Sequence, residues 1–152
     1  FIIQGGSKAY DYDRFVIDYA NIHHIPILGI CLGMQQMCNY NNRNQNIPND
    51  NTIHKNIDAD YVHTVTIDKD SKLYSILLEE SFQVNSHHNY HVPNSGDYDI
   101  AGYSMDGLIE AVEKKQEDFN IGVQWHPEKN FDTDIYSQRL LKAFIEAAKK
   151  QC

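Results

Sequence analysis

Short apolar runs separated by turn residues dominate the start of the chain. Phe1 to Gln4 reads as a short buried strand that Gly5-Gly6 ends, because paired glycines permit a tight turn and a close approach of backbone to ligand. Phe15, Val16, Tyr19, Ala20 and Ile22 then recur at mixed helical spacing, which predicts a helix capped by Asp11 or Asp13 and running to about His24. After Pro26, the run Ile27-Leu28-Gly29-Ile30 is too short for a helix and predicts a fully buried parallel strand. Strand, helix, strand in that order implies a right-handed crossover and an α/β sheet.

From Asn39 to Asn56 the pattern turns polar. The segment is dense in Asn, contains Pro48 and reads as a long surface excursion. Tyr61 to Asp68 alternates apolar and polar positions, Leu73 to Leu78 predicts a short helical turn, and Phe82-Gln83-Val84 predicts a strand. Strand-like pieces follow at Asp99 to Tyr103, Leu108 to Glu113 and Phe119 to Gln124, with Asp106-Gly107 as a hairpin turn. Finally Ile135, Leu140, Leu141, Phe144, Ile145 and Ala148 fall at helical spacing, predicting an amphipathic helix over Asp134 to Lys150 that ends in two lysines, favourable at a helix C-terminus.

Composition narrows the classes of function. The 152 residues suffice for one domain with one core and are too few for two. A formal net charge of -8, without a Lys/Arg cluster interleaved with aromatics, excludes a surface built to neutralise phosphates, so nucleic acid is not an expected partner. No apolar run approaches the roughly 18 residues that span a bilayer, so no membrane is expected either. Cys31, Cys38 and Cys152 lack CxxC spacing and are odd in number, which argues against a disulfide framework and for a reducing, cytoplasmic setting. The histidines at 87, 88 and 91 have no Cys or carboxylate at ligand spacing, so no metal is expected.

Two motifs carry chemistry. Gly29-Ile30-Cys31-Leu32-Gly33 joins the buried strand to the helix-forming Met34-Gln35-Gln36-Met37. Such an elbow holds a nucleophile on a sharp strand-to-helix turn, with the backbone N–H after it aimed at a developing oxyanion and the helix N-terminus favouring thiolate. A buried structural cysteine between two turn glycines is the competing reading of those five residues. The second motif is Ile121-Gly-Val-Gln-Trp-His-Pro-Glu128, a strand ending in His126 with Glu128 two residues on. A catalytic His needs a partner that fixes its tautomer, which Glu128 can supply across the turn at Pro127, so the expected triad is Cys31, His126 and Glu128.

With these motifs, and with Pro26 to Gln35, Val84-Asn-Ser-His-His88 and Asp106-Gly-Leu-Ile-Glu-Ala111 in the same order, the chain resembles the class I glutamine amidotransferase superfamily. Within it, the chain is similar to the gamma-glutamyl-gamma-aminobutyrate hydrolase-like branch. The resemblance implies a three-layer, flavodoxin-like α/β fold, with a mostly parallel central sheet, flanking helices and a small antiparallel β extension. It implies one such domain over residues 1–152, truncated at its N-terminal side, because family members carry some tens of residues before the first strand.

The resemblance also implies roles. The Gly5-Gly6 turn matches the glycine pair that supplies half of the oxyanion hole, with Gly6 and Leu32 as its amides. Gly5, Gln35, His87, Asn89 and Tyr90 match the substrate pocket, and His88 a structural support. The implied activity is cysteine-dependent cleavage of the gamma-glutamyl amide of glutamine or a gamma-glutamyl conjugate through a thioester, with no cofactor. Leu32, Ser7-Lys8 and Tyr90 depart from the hydrolase branch, and Leu32 is the choice of true amidotransferase domains. A glutaminase subunit feeding ammonia to a synthase partner is therefore one alternative, and a catalytically inactive binding or regulatory domain is another. A homodimer stays open as an assembly.

Overall fold

The computed structural model of the protein describes residues 1–41, 45–56 and 58–151. In chain order the elements are β1 (Ile2–Ile3), α1 (Asp11–His23), β2 (Ile27–Ile30), α2 (Leu32–Asn39), β3 (Ile47–Pro48), a 3-10 turn (Thr52–His54) and β4 (Lys55–Asn56). There follow β5 (His63–Ile67), α3 (Lys72–Leu77), β6 (Ser81–Val84), β7 (Ser86–His87), β8 (Tyr90–His91), β9 (Asp99–Ser104), β10 (Ile109–Glu113), β11 (Asn120–Val123) and α4 (Ile135–Lys149).

Seven strands form one sheet in the order β1-β2-β11-β10-β9-β5-β6. Period-two alternation sends successive side chains to opposite faces, and a core lies on each. Ile3, Ile27, Ile109 and Val112 meet Ile17 and Ala20 of α1 and Met34, Met37 and Cys38 of α2. On the other face Leu28, Ile30, Val65, Ala111, Ile121 and Val123 meet Leu73 and Leu77 of α3 and Leu140 and Ala147 of α4. Helices on both faces of a central sheet are the three-layer α/β arrangement predicted above.

The antiparallel share is larger than predicted. β1, β2 and β11 run parallel, whereas β11-β10, β10-β9, β9-β5 and β5-β6 pair antiparallel. Short links account for two of these pairs: residues 105–108 join β9 to β10, turning through Gly107 at φ 84°, and residues 114–119 join β10 to β11, neither with a crossover helix, whereas β5 reaches its antiparallel neighbour β6 through α3.

Most predicted elements fall where the pattern puts them, and the differences are local. The N-cap of α1 is Tyr10, not Asp11 or Asp13; Asp13 instead accepts from the Tyr10 N–H at 3.2 Å. In α4 the stripe at Leu140, with Leu141 and Phe144 beside it, faces the core, while Ile135 and Ile145 are half exposed. The excursion at 39–56 is not simply a surface segment. Ile47-Pro48 pairs with Tyr90-His91, Lys55-Asn56 pairs with Ser86-His87, and Asn49 and His54 are buried; residues 42–44 of this segment lie outside the described part. No helix among the described residues is long and apolar enough to cross a membrane.

Candidate active site

The site begins with how closely α2 can approach the sheet. Gly29 and Gly122 are register partners on adjacent parallel strands, and α2 lies over both. A Cβ on Gly29 would stand 2.3 Å from Met37 Sδ, and one on Gly122 2.7 Å from Met34 Cγ. At Gly33 a Cβ would lie 1.9 Å from the Ile3 carbonyl oxygen, so only glycine lets the first turn of α2 rest on β1. The chain must therefore turn from β2 into α2 within one residue. Cys31 is that residue, at φ 52° and ψ -106°, a strained conformation for a side-chain-bearing residue. Its own N–H is tied to the Val123 carbonyl at 2.8 Å. Leu32, first in α2, leaves its N–H without an acceptor inside the helix.

His126 follows β11 and is held at its backbone by Asn85. The His126 N–H donates to Asn85 Oδ1 and the Asn85 amide donates to the His126 carbonyl, both at 2.8 Å. Its ring has two electrostatic partners: Nδ1 is 2.6 Å from Glu128 Oε1, and the Cys31 side chain lies near enough to act on the ring's charge. Burial works against the imidazolium, but Cys31 and Glu128 outweigh it and raise the His126 pKa to about 9. Burial likewise opposes the Glu128 carboxylate, and the hydrogen bond with His126 overrides it to hold Glu128 below its ordinary range. A Cβ on Gly5 would meet His126 Cε1 at 2.8 Å, so glycine there admits the ring.

A cavity of about 770 Å³ opens over this group. Its lining contains every residue that the sequence proposes for the site: Cys31, His126 and Glu128; Gly5, Gly6 and Leu32; and Gln35, His87, Asn89 and Tyr90. Gln35 is already committed within the protein, however. Its amide nitrogen donates to the Tyr90 carbonyl (2.9 Å) and to Gln124 Oε1 (3.0 Å), while its oxygen accepts from Asn46 (2.8 Å). It thereby fastens the wall formed by residues 87–90 to α2. The Cys31 thiol is 3.9 Å from the His87 carbonyl oxygen, and burial pushes the His87 imidazole below its ordinary pKa, with the charges of Lys129 and His126 adding to the effect.

Asn85 and Gln124 are supports that sequence reasoning leaves unassigned. The signal was present for Asn85, which stands inside the Val84 to His88 motif, but its role appears only once Asn85, just after β6, is seen to bond the backbone of His126.

Comparison with known proteins gives the family and the fold. The profile of the family described as Peptidase C26 matches residues 9–128. The chain belongs to the Peptidase C26 family. A Schizosaccharomyces pombe relative named "Putative glutamine amidotransferase PB2B2.05" is 35% identical over 140 residues, covering 88% of this chain and 55% of the relative. The CTP synthase of Bacteroides fragilis is 29% identical over 174 residues, covering 94% of this chain and 32% of the synthase. Among solved structures, the glutaminase domain of Trypanosoma brucei CTPS with bound acivicin superposes with a TM-score of 0.69 at 21% identity, covering 98% of this chain and 70% of that one. The chain therefore has the class I glutamine amidotransferase fold, and it spans about half the length, or less, of the curated relatives it matches.

Proposed function

We propose that this member of the Peptidase C26 family is a thiol hydrolase acting on the gamma-carbonyl of glutamine or of a gamma-glutamyl amide. The observation that carries this reading is a cysteine at a strained left-handed elbow that shares the lining of one open cavity with a histidine it interacts with electrostatically, itself 2.6 Å from a carboxylate. A structural cysteine has no need of positive φ or of a charged partner.

The sequence of steps follows from the positions. With the thiol proton already held on His126, Cys31 Sγ attacks the gamma-carbonyl carbon to form a tetrahedral oxyanion. The Leu32 and Gly6 N–H groups stabilise that charge; loss of one such donor costs about 10²–10³ in rate. Collapse breaks the C–N bond, and His126 gives its proton to the leaving ammonia or amine. Water, losing a proton to His126, then hydrolyses the gamma-glutamyl thioester and regenerates the thiolate, with glutamate as product. Glu128 holds His126 in the tautomer that serves both transfers. Every bond in the cycle is made to a protein side chain or to water, which is why the reading needs no cofactor.

A second reading, a glutaminase unit that delivers ammonia to a synthase, is favoured by the likeness to CTP synthase and by Leu32 after the nucleophile. Glutamate release from glutamine and from a panel of gamma-glutamyl amines separates the two. Standalone turnover of gamma-glutamyl amines with little on glutamine supports the hydrolase, and turnover of glutamine that rises only with a synthase present supports the subunit. No glutamate from any of them by the folded protein, whether alone or with the synthase, would overturn both.

A further inference from the structure

Beneath the wall of the cavity lies a second cluster that the proposed chemistry does not use. His54 of the 3-10 turn, His63 at the start of β5, His88 in the link from β7 to β8 and Glu110 of β10 are all buried, and one nitrogen or oxygen from each falls within 4.8 Å of the others. Glu110 Oε1 is the hub. It stands 3.6 Å from His63 Nε2, 3.6 Å from His88 Nε2 and 3.8 Å from His54 Nδ1. These gaps are too long for hydrogen bonds, and His63 Nε2, His88 Nε2 and both Glu110 oxygens are buried without a partner. Buried polar atoms left unpaired are costly, so four gathered in one cluster call for something that satisfies them together.

The tautomers identify what that is. On its far side each ring meets an oxygen that can only accept: the Asp106 carboxylate at 2.9 Å from His54 Nε2, the Tyr90 carbonyl at 2.9 Å from His88 Nδ1 and, more loosely, the Thr64 carbonyl at 3.4 Å from His63 Nδ1. The Asn49 amide nitrogen is also 3.1 Å from His88 Nδ1, but it donates to the His88 carbonyl at 2.7 Å and stands farther from Nδ1 than the Tyr90 carbonyl does; the far nitrogens therefore carry the protons, and the near ones aim lone pairs at the carboxylate. For His54 the Ser86 hydroxyl is also near, 3.3 Å from both Nδ1 and the His54 carbonyl oxygen. Three lone pairs facing an anion repel one another unless a cation sits between them. A carboxylate or carbonyl behind each ligating imidazole is the usual outer shell of a metal site.

We propose that His54, His63, His88 and Glu110 form a structural site for a divalent transition-metal cation, Zn²⁺ being the best fit. Four nitrogen and oxygen ligands at about 2.0–2.2 Å in a tetrahedron lie about 3.3–3.6 Å apart, close to the three separations around Glu110. The charges also close, since Glu110 and the Asp106 carboxylate behind His54 together balance a dication. With four protein ligands and no open position, the site is structural rather than catalytic. It would pin two sheet strands, the inner part of the 39–56 excursion and the loop bearing His87 to Tyr90 to one point. Position 88 was expected to give only structural support, and 87, 88 and 91 to bind no metal; the carboxylate absent from their neighbourhood in sequence arrives from β10.

The test is zinc content and affinity of the full chain in both the native and the Cys31→Ser forms, so that binding by the catalytic thiol is separated from binding here. Expected are one tightly held zinc per chain in both forms, a rise in melting temperature of roughly 10 °C on loading, and visible absorption of a tetrahedral N₃O site after cobalt substitution. Glu110→Gln and His63→Gln should each weaken zinc binding at least 100-fold. Should either variant misfold, the cobalt spectrum of the native chain decides alone. A folded chain that binds neither zinc nor cobalt, as when water or a shared proton bridges the four groups, overturns the proposal. Zinc binding abolished by Cys31→Ser, or untouched in both folded cluster variants, overturns it equally.

Discussion

His126 is held by charge on both sides, and this has a pH signature. Its pKa is raised from 6.5 to about 9, so the stabilisation it brings is complete below 6.5 and is lost as pH climbs through 9. Glu128 is lowered from 4.5, so its contribution is present above that value and is lost as pH falls below it. The pair is strongest between pH 4.5 and 6.5. Glu128→Gln should lower the His126 pKa, read by NMR of the imidazole, and the melting-temperature gap to wild type should be widest near pH 5–6 and shrink toward pH 9. The stability difference behind that gap should stay below about 1 kcal/mol, because the Glu128 side chain is 46% exposed and screened by water. A gap independent of pH would contradict the pairing. Asn85→Ala should act through position instead, lowering kcat at least 10-fold with KM little changed, since it frees the backbone that aims His126 without touching the cavity.

Among elements, α2 depends most on a single residue. Gly33→Ala places a methyl against the Ile3 carbonyl, backbone that cannot yield cheaply, so the variant should lose about 3 kcal/mol or fail to fold. Gly6→Ala meets only Leu32 Cδ2 at 3.9 Å and should melt near wild type. Thermal denaturation of the two compares them directly. α3 hangs from the sheet in a different way: the buried Glu113 of β10 accepts from the N–H groups of Lys72 and Leu73 at 2.8 and 2.9 Å, beside the Ser71 cap. Glu113→Ala should cost about 2 kcal/mol in chemical denaturation, because two charge-assisted bonds at a helix N-terminus are lost. These two helices also show what a sequence conceals. The elbow was legible because Gly29 and Gly33 flank Cys31 at fixed offsets, whereas Glu113 reads as one more residue of an alternating strand until α3 is seen above it.

Across the whole molecule, legibility followed sequence distance. The strands at 27–30 and 120–123 are apolar runs bounded by Pro, Gly or polar residues, and their parallel pairing sets Cys31 beside His126. The antiparallel half was harder to foresee, because hairpin partners and a separate small sheet leave the same alternating pattern. The Asn-rich excursion misled through its composition: few apolar residues predict surface, yet His54 and Asn49 are buried by hydrogen bonds rather than by hydrophobicity. Nothing in the spacing of positions 54, 63, 88 and 110 announces a cluster, since four separate elements must fold before they meet. The cavity depends on the same long-range order, with Gln35 and the excursion holding its wall from opposite sides.

The central claim is that Cys31 is a nucleophile toward the gamma-carbonyl of a glutamyl amide, and the most direct test is the intact mass of the full chain after exposure to a glutamine-analogue electrophile. One adduct per chain is predicted, mapped to Cys31, slowed by excess glutamine or gamma-glutamyl amide and absent in Cys31→Ser. Cys38 should stay unmodified, because burial pushes its thiol up to about 12. A folded protein whose Cys31 takes no adduct, or takes one at a rate that neither glutamine nor a gamma-glutamyl amide protects against, would contradict the account.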